Sequence, residues 1–438
     1  MRTVAKRLAL VSLLLAAILP LYAQTGTWSG HIDVRGTKLA VVFHLGGEHP
    51  TVDSPNQGIK GIPIQVDRAA TGYVSIKIPS LGAAYEGMCM PQKIVGTFRQ
   101  GGASFSLTLV PGEEKLNRPQ TPHPPFPYQQ EDVSFVNGDA VLSGTLVLPP
   151  SCTRETPVLI MVTGSGLQNR DEEIFEHRPF AVIADALARA GIATLRYDDR
   201  GFGASVGGDN VNCTTEDLKN DALAGVRLLR ERFDHVGVIG HSEGGTIALM
   251  LAAEGQVDFI VSLAGMVVSG RETLVWQNRL AFTAAGYAES DVDTYCKLIA
   301  EAFDAQLNGS PLPPVDHLSL PEALKQNYKA VLLQLQSPYI QYFLATDMRP
   351  LLSRVSCPVL ALNGTKDTQV SAESNLEALR NGLPPNGRNK IETAEGLNHL
   401  FQHCATGSVA EYGSIEETFA PEVWEAMIQW IQALSCAW

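Results

Sequence analysis

The chain has 438 residues, 45% of them hydrophobic and 18% charged, a balance that excludes a disordered or fibrous chain and fits a folded protein of two or three domains. Against 33 basic residues stand 46 acidic ones, for a net charge of −13, which argues against a nucleic-acid partner because phosphate backbones are bound through basic faces. Seven cysteines, an odd number, are too few for a disulfide scaffold, and no C-x-x-C or Cys/His spacing suggests a metal site or a cofactor.

At the start of the chain, Arg2, Lys6 and Arg7 precede an apolar run from Leu8 to Leu19, and Leu21-Tyr22-Ala23 before Gln24 offers a cleavage site with a small last residue. The run is shorter than the ~20 residues that span a bilayer. The expectation is a cleaved secretory signal over residues 1–23 and export to the periplasm or extracellular space, with no stable membrane span afterwards. No Cys follows the cleavage site, so a lipid anchor is not expected. Export would permit disulfides, whose connectivity is not legible.

Residues 24–112 alternate apolar and polar positions with period two. Leu39, Val41, Phe43 and Leu45 form one such run; Val74, Ile76 and Ile78 another; Phe105, Leu107 and Leu109 a third. Short alternating runs between glycine-rich turns predict a small all-β domain, an antiparallel sandwich or barrel. Residues 113–130 are proline-rich and read as an extended linker.

From residue 131 onward strands alternate with helices. Val158 to Val162, Ile192 to Tyr197, Val236 to Ile239, Phe259 to Ala264 and Pro358 to Asn363 read as strands. Pro179 to Arg189, Thr214 to Phe233, Gly244 to Ala253 and Pro421 to Leu434 read as helices. This is the signature of an α/β fold with a mostly parallel sheet and helices on both faces. The alternation stops over residues 268–348, which read as a helical cap inserted between two strands.

Within that pattern, Gly240-His241-Ser242-Glu243-Gly244-Gly245 places a G-x-S-x-G motif between a strand and a helix. Glycines on both sides let a serine sit on a tight turn, its hydroxyl lifted clear of the sheet; a plain helix-capping serine would not need them. A second match, Gly203-Ala204-Ser205-Val206-Gly207, follows Asp198-Asp199-Arg200 and precedes Gly208-Asp209-Asn210, where no helix can start, so Ser205 reads as a loop serine. A nucleophilic serine needs a base, and the base an orienting acid. Asp367, just past the strand 358–363, is the candidate acid, with a turn aspartate as the plainer reading. Of the ten histidines only His399 and His403 follow it; His399, in a loop after the short strand Lys390 to Thr393, is the candidate base. The oxyanion hole would use the backbone N–H of Glu243 and one from the loop Thr163-Gly164-Ser165-Gly166-Leu167, that of Ser165 or of Gly166.

Five segments in this order, VTGSGLQNRDE (162–172), LRYDDRGFGAS (195–205), IGHSEGG (239–245), LNGTKD (362–367) and GLNHLFQ (396–402), resemble the α/β-hydrolase superfamily, in the branch of bacterial carboxylesterases and serine aminopeptidases, and are most similar to the EstD-like esterases. WSGHIDVRGTKLAVVFHL (28–45) with DSPNQGIKGIP (53–63) resembles the β domain that precedes such hydrolases in exported bacterial proteins. The resemblance implies Ser242, Asp367 and His399 as a catalytic triad. Thr163-Gly164 departs from the family's usual His-Gly at the oxyanion loop, which leaves the donating N–H open.

The expected activity is hydrolysis of a small-molecule carboxylic ester without metal or cofactor. Two alternatives stand beside it. An exported aminopeptidase would need an acidic group for the substrate's free amine, for which Glu173 and Glu176 are candidates. A glycan- or lipid-binding protein with a vestigial hydrolase would need no triad at all. Within the cap, apolar residues such as Leu298, Phe303, Tyr339, Tyr342 and Phe343 are available to pack among themselves or to line an acyl pocket; Tyr342 and Phe343 are the candidates for the latter. The oligomeric state is not legible.

Overall fold

The structure, a computed structural model, describes residues 25–436 except 35, 36, 58, 70, 71 and 114; the expected secretory signal lies outside the described residues. The chain divides into two compact units. One comprises the described residues up to Asn117 with Ile174–Glu176 and Tyr412–Glu416, and the other comprises the rest.

The first unit is all β: β1 (Thr27–Val34), β2 (Thr37–His44), β3 (Thr51–Ser54), β4 (Ile59–Pro63), β5 (Gln65–Arg68), β6 (Tyr73–Ile78), β7 (Ala83–Met90), β8 (Lys93–Gln100) and β9 (Ala103–Pro111). The strands form one antiparallel sheet in the order β4-β3-β2-β1-β9-β8-β7-β6-β5. β1 and β9 meet only through Trp28–Pro111 and Ser29–Val110, so the sheet folds into two halves over one core. Period-two positions from both halves fill that core: Val41, Phe43 and Val52 from one, Val74, Ile76, Tyr85, Ile94 and Leu107 from the other. The Phe43 and Tyr85 rings pack at 5.8 Å.

The second unit carries an eight-stranded sheet of β10 (Gln129–Asn137), β11 (Ala140–Leu148), β12 (Val158–Val162), β13 (Ala193–Tyr197), β14 (Val236–His241), β15 (Phe259–Leu263), β16 (Val359–Gly364) and β17 (Lys390–Ala394). Their order is β10-β11-β13-β12-β14-β15-β16-β17. β11 joins β13 antiparallel, and from β13 to β17 every pairing is parallel. The central strands β12 to β16 are buried along their whole length and mostly apolar, because both faces are covered. Val158, Ile160 and Val162 of β12 pack toward α2 (Thr215–Arg230), α3 (Glu243–Ala253) and α8 (Ala372–Gly382). The intervening Leu159 and Met161 pack on the opposite face toward α1 (Pro179–Arg189) and α9 (Pro421–Ser435). Each such side chain stabilises the fold by about 1.5–3 kcal/mol relative to exposure.

Between β15 and β16 the chain leaves the sheet as α4 (Gly270–Ala284), α5 (Glu289–Asn308), α6 (Glu322–Gln334) and α7 (Pro338–Ala345). These helices have an apolar core of their own, with Tyr295, Ile299, Phe303, Leu324, Tyr328 and Leu344 buried together. Among the described residues no helix is long and apolar enough to cross a membrane, and all seven cysteines are free thiols.

Candidate active site

Ser242 stands between the last residue of β14 and the first of α3, with φ 54° and ψ −118°. A left-handed φ in a non-glycine residue costs of order 1–3 kcal/mol and persists only where its surroundings enforce it. Here they do. A Cβ on Gly240 would lie 1.9 Å from the Gly244 carbonyl oxygen, and one on Gly244 would lie 2.0 Å from that of Val162. Only glycine permits this approach on either side, and the Ser242 N–H is held by the Leu263 carbonyl at 2.9 Å.

Asp367 lies three residues past β16. Its Oδ1 accepts the N–H groups of Gln369 at 2.7 Å and Val370 at 2.9 Å. Oδ2 accepts the Asn363 amide at 3.1 Å and faces His399 Nδ1 at 2.7 Å. Both side chains of the pair are buried. With Nδ1–H donating to the carboxylate, Nε2 is left as the basic nitrogen. The loop carrying His399 is tied by Asn398, whose side chain accepts the N–H groups of Leu400 and Gln402 and donates to the Gln402 amide oxygen.

The residue before Ser242, His241, connects these parts. Its ring lies 4.7 Å from that of His399, its Nε2 is 2.9 Å from the His399 carbonyl oxygen, and its Nδ1 is 2.8 Å from Glu172 Oε1. Burial works against a charge on His241, but Glu172 outweighs it and holds the imidazole pKa above its ordinary value.

The loop after β12 runs past the serine: a Cβ on Gly164 would lie 3.2 Å from Ser242 Cβ. The Gly164 N–H is taken by Glu172 Oε1 at 2.7 Å, so an oxyanion donor from this loop must come from Ser165 or beyond. The loop is pinned further by Asp199, which accepts the Gln168 N–H at 2.8 Å and the Thr163 hydroxyl at 3.1 Å. Burial pushes the Asp199 carboxyl up to about 7 against the pull of these bonds. The N–H of Glu243 lies in the first turn of α3, where helix N–H groups have no carbonyl within the helix. Its side chain is buried, which raises its pKa although Thr215, Tyr339 and Ser165 all bond to it.

The remaining residues singled out in the sequence are placed as follows. Ser205 donates to the Asp198 carbonyl at 2.7 Å and accepts the Ser143 N–H at 2.9 Å, which makes it part of a loop anchor. His403 is more than half exposed between Glu417 and Glu422. Tyr342 turns its hydroxyl to Glu216 of α2 at 3.0 Å, and Phe343 stacks on Tyr339 at 6.1 Å. Glu173 pairs with Arg178 at 3.1 Å, and Glu176 accepts the Leu116 N–H at 3.0 Å. Glu172, Asp199 and the side chains of His241 and Glu243 were not anticipated as part of the site, although all four lie inside motifs that were, and Tyr339 was anticipated only as an apolar cap residue. Among the described residues no cluster of His, Cys, Asp or Glu is arranged to hold a metal ion.

The X-Pro dipeptidyl-peptidase (S15) family profile matches residues 138–403. Esterase EstD of Thermotoga maritima is 27% identical over 280 residues, an alignment covering 63% of this chain and 61% of EstD; the chain thus spans less than two thirds of that relative's length. Among solved structures, the Pyrococcus furiosus esterase Pf2001 is 18% identical at a TM-score of 0.44, covering 74% of this chain and 99% of the other. Est1E of Butyrivibrio proteoclasticus is 18% identical at 0.40, covering 70% and 99%. At such scores the likeness is loose; the strand order and the strained serine turn define the fold here.

Proposed function

The chain belongs to the X-Pro dipeptidyl-peptidase (S15) family, and we propose that it is an exported serine hydrolase that cleaves small-molecule carboxylic esters through Ser242, His399 and Asp367. The observation that carries this reading is the buried 2.7 Å contact of Asp367 with His399 Nδ1, with the His399 carbonyl held at 2.9 Å by His241, the residue before a serine whose strained backbone the two glycines enforce. Ser242 Oγ attacks the ester carbonyl while His399 Nε2 takes its proton, and Asp367 holds the tautomer and stabilises the imidazolium. The N–H groups of Glu243 and of Ser165 or Gly166 receive the negative oxygen of the tetrahedral intermediate. His399 returns the proton to the leaving alkoxide, the alcohol departs and Ser242 keeps the acyl group. Water, deprotonated by His399, then attacks the acyl-enzyme; collapse of the second intermediate releases the acid and restores the serine proton.

The family's description supports a second reading, cleavage of peptides. The same attack on an amide would need a free acidic group to receive the substrate's amine; Glu173 is engaged by Arg178, and Glu176 by a backbone N–H. The test is a panel of p-nitrophenyl esters of graded acyl length beside Xaa-Pro p-nitroanilides. The ester reading expects kcat/KM on the best ester to exceed that on any anilide by about 100-fold, or ~2.7 kcal/mol of barrier. The reverse ranking supports the peptidase, and no turnover on either supports a binding protein. Export would be tested by the N-terminus of the mature protein, expected at Gln24.

A further inference from the structure

Three segments distant in sequence converge on one buried pair. Glu172 Oε1 accepts the Gly164 N–H at 2.7 Å from the loop after β12 and faces His241 Nδ1 at 2.8 Å. On its other side His241 Nε2 meets the main-chain carbonyl of His399 at 2.9 Å. A carbonyl oxygen only accepts, so Nε2 carries a proton. The Glu172 oxygen, already accepting from Gly164, faces Nδ1, and its charge holds the ring's pKa above the ordinary value despite burial, an arrangement that a charged imidazolium satisfies on both nitrogens. Asp367 and His399 are the other titratable groups acting on it, and the remaining surroundings include Phe180, Ile183, Leu263, Leu400 and Phe419, which offer no competing hydrogen bond. Glu172 itself is held at φ 53°, a left-handed backbone that surrounding structure must sustain.

We propose that Glu172 and His241 are positioning residues that set the main chain of His399 and of the oxyanion loop relative to Ser242. This rests on the catalytic reading above. Both side chains are buried, so they act on the reaction through the residues they hold. The pair acts by fixing two main-chain points, the His399 carbonyl behind the base and the Gly164 N–H at the root of the oxyanion loop, against the strand that ends in the nucleophile. A displacement of about 1 Å in either can cost ~100-fold in rate. Because Gly164 is occupied by Glu172, the pair also decides which N–H groups of the loop remain free for an oxyanion.

The experiment compares wild type with Glu172→Ala, Glu172→Gln and His241→Gln on p-nitrophenyl acetate. Competent sites are counted by exhaustive titration with a fluorophosphonate, so that kcat refers only to folded, reactive protein. The expected result is a fall in kcat per titrated site of about 10- to 100-fold for Glu172→Ala and His241→Gln, with KM within about threefold. Glu172→Gln keeps an acceptor for the Gly164 N–H but not the charge that sustains the imidazolium, and should fall between; it carries the test if Glu172→Ala does not fold. The far-downfield proton NMR signal of the His399 N–H bonded to Asp367 should shift or broaden in the same variants. A purely structural role would lower thermal stability and leave kcat per site and this signal unchanged, which would overturn the proposal. Failure of the wild type to label would instead overturn the catalytic reading, so the two failures are distinguishable.

Discussion

The Tyr339 hydroxyl, on the last helix of the cap, donates to the carboxylate of Glu243, the residue directly after Ser242. The same carboxylate accepts the Thr215 hydroxyl at 2.6 Å and bonds to Ser165 of the oxyanion loop. One buried acid thus connects the cap, the Ser242 turn and the loop expected to bind the oxyanion. Its own backbone N–H is the other expected oxyanion donor, so this side chain is one of the links from the cap to the proposed site, beside Gln277, which donates to the Gln369 carbonyl at 2.7 Å.

Removing that contact should therefore affect substrate choice more than chemistry. Tyr339→Phe leaves a buried carboxylate with one donor fewer and should cost about 1–3 kcal/mol of stability, read as a lower denaturation midpoint. Relative kcat/KM across acyl lengths should change, while the labelling rate of Ser242 by a small phosphonate stays within about threefold of wild type. Equal acyl preference in a folded Tyr339→Phe protein would contradict the link between cap and pocket.

The proposed triad makes a sharper forecast. Ser242→Ala, His399→Ala and Asp367→Asn should each reduce kcat by at least about 1,000-fold, and double variants should lose little more, since the three act as a unit. Steady-state kinetics on p-nitrophenyl acetate, with folding checked by circular dichroism, decides this. Losses that multiply would mean that the residues act independently.

The turn glycines should be intolerant for a different reason. Gly240→Ala drives a methyl group into the Gly244 carbonyl in the first turn of α3, and Gly244→Ala one into the Val162 carbonyl at the end of β12, each at about 2 Å, and neither backbone can yield. Each should destabilise the second unit by more than about 3 kcal/mol, measured by urea unfolding. Near-wild-type stability in either would mean that the turn is looser than described.

A pH dependence follows from Asp199. Its carboxyl, raised chiefly by burial to about 7 in the folded protein, sits near 3.9 when unfolded. The folded state then binds the proton more tightly, so this group favours folding most below pH ~4, and its contribution is lost as pH rises to about 7. Asp199→Asn removes the titration. The stability of wild type relative to the variant should fall between pH ~4 and ~7 and level off above. A difference that is flat, or that grows with pH, would contradict the assignment.

How much of this was legible in the sequence depends on whether a residue's role is local. The tight turn at Ser242 was readable because two glycines, a strand and a helix are adjacent in the chain. That Asp367 and His399 would come together was readable because each follows a strand whose parallel neighbours end at the same sheet edge. Glu172 was not, because it lies in a polar loop without periodicity and its partner is 69 positions away. The cap illustrates a finer limit. Tyr339 and Tyr342 are three apart on one helix and therefore share a face; nothing in their spacing says that Tyr339 reaches Glu243 while Tyr342 turns to Glu216. In the β unit the alternation revealed strands but not their order, because pairing β1 with the distant β9 leaves no local mark.

The central claim is that Ser242 is an activated nucleophile. It is tested most directly by exposing the intact protein to a fluorophosphonate and mapping the adduct by peptide mass spectrometry. The account predicts one adduct per chain, on Ser242, formed at a rate that falls by orders of magnitude in His399→Ala and vanishes on denaturation. An adduct on Ser205 or Ser165, or a native protein that does not react, would contradict it.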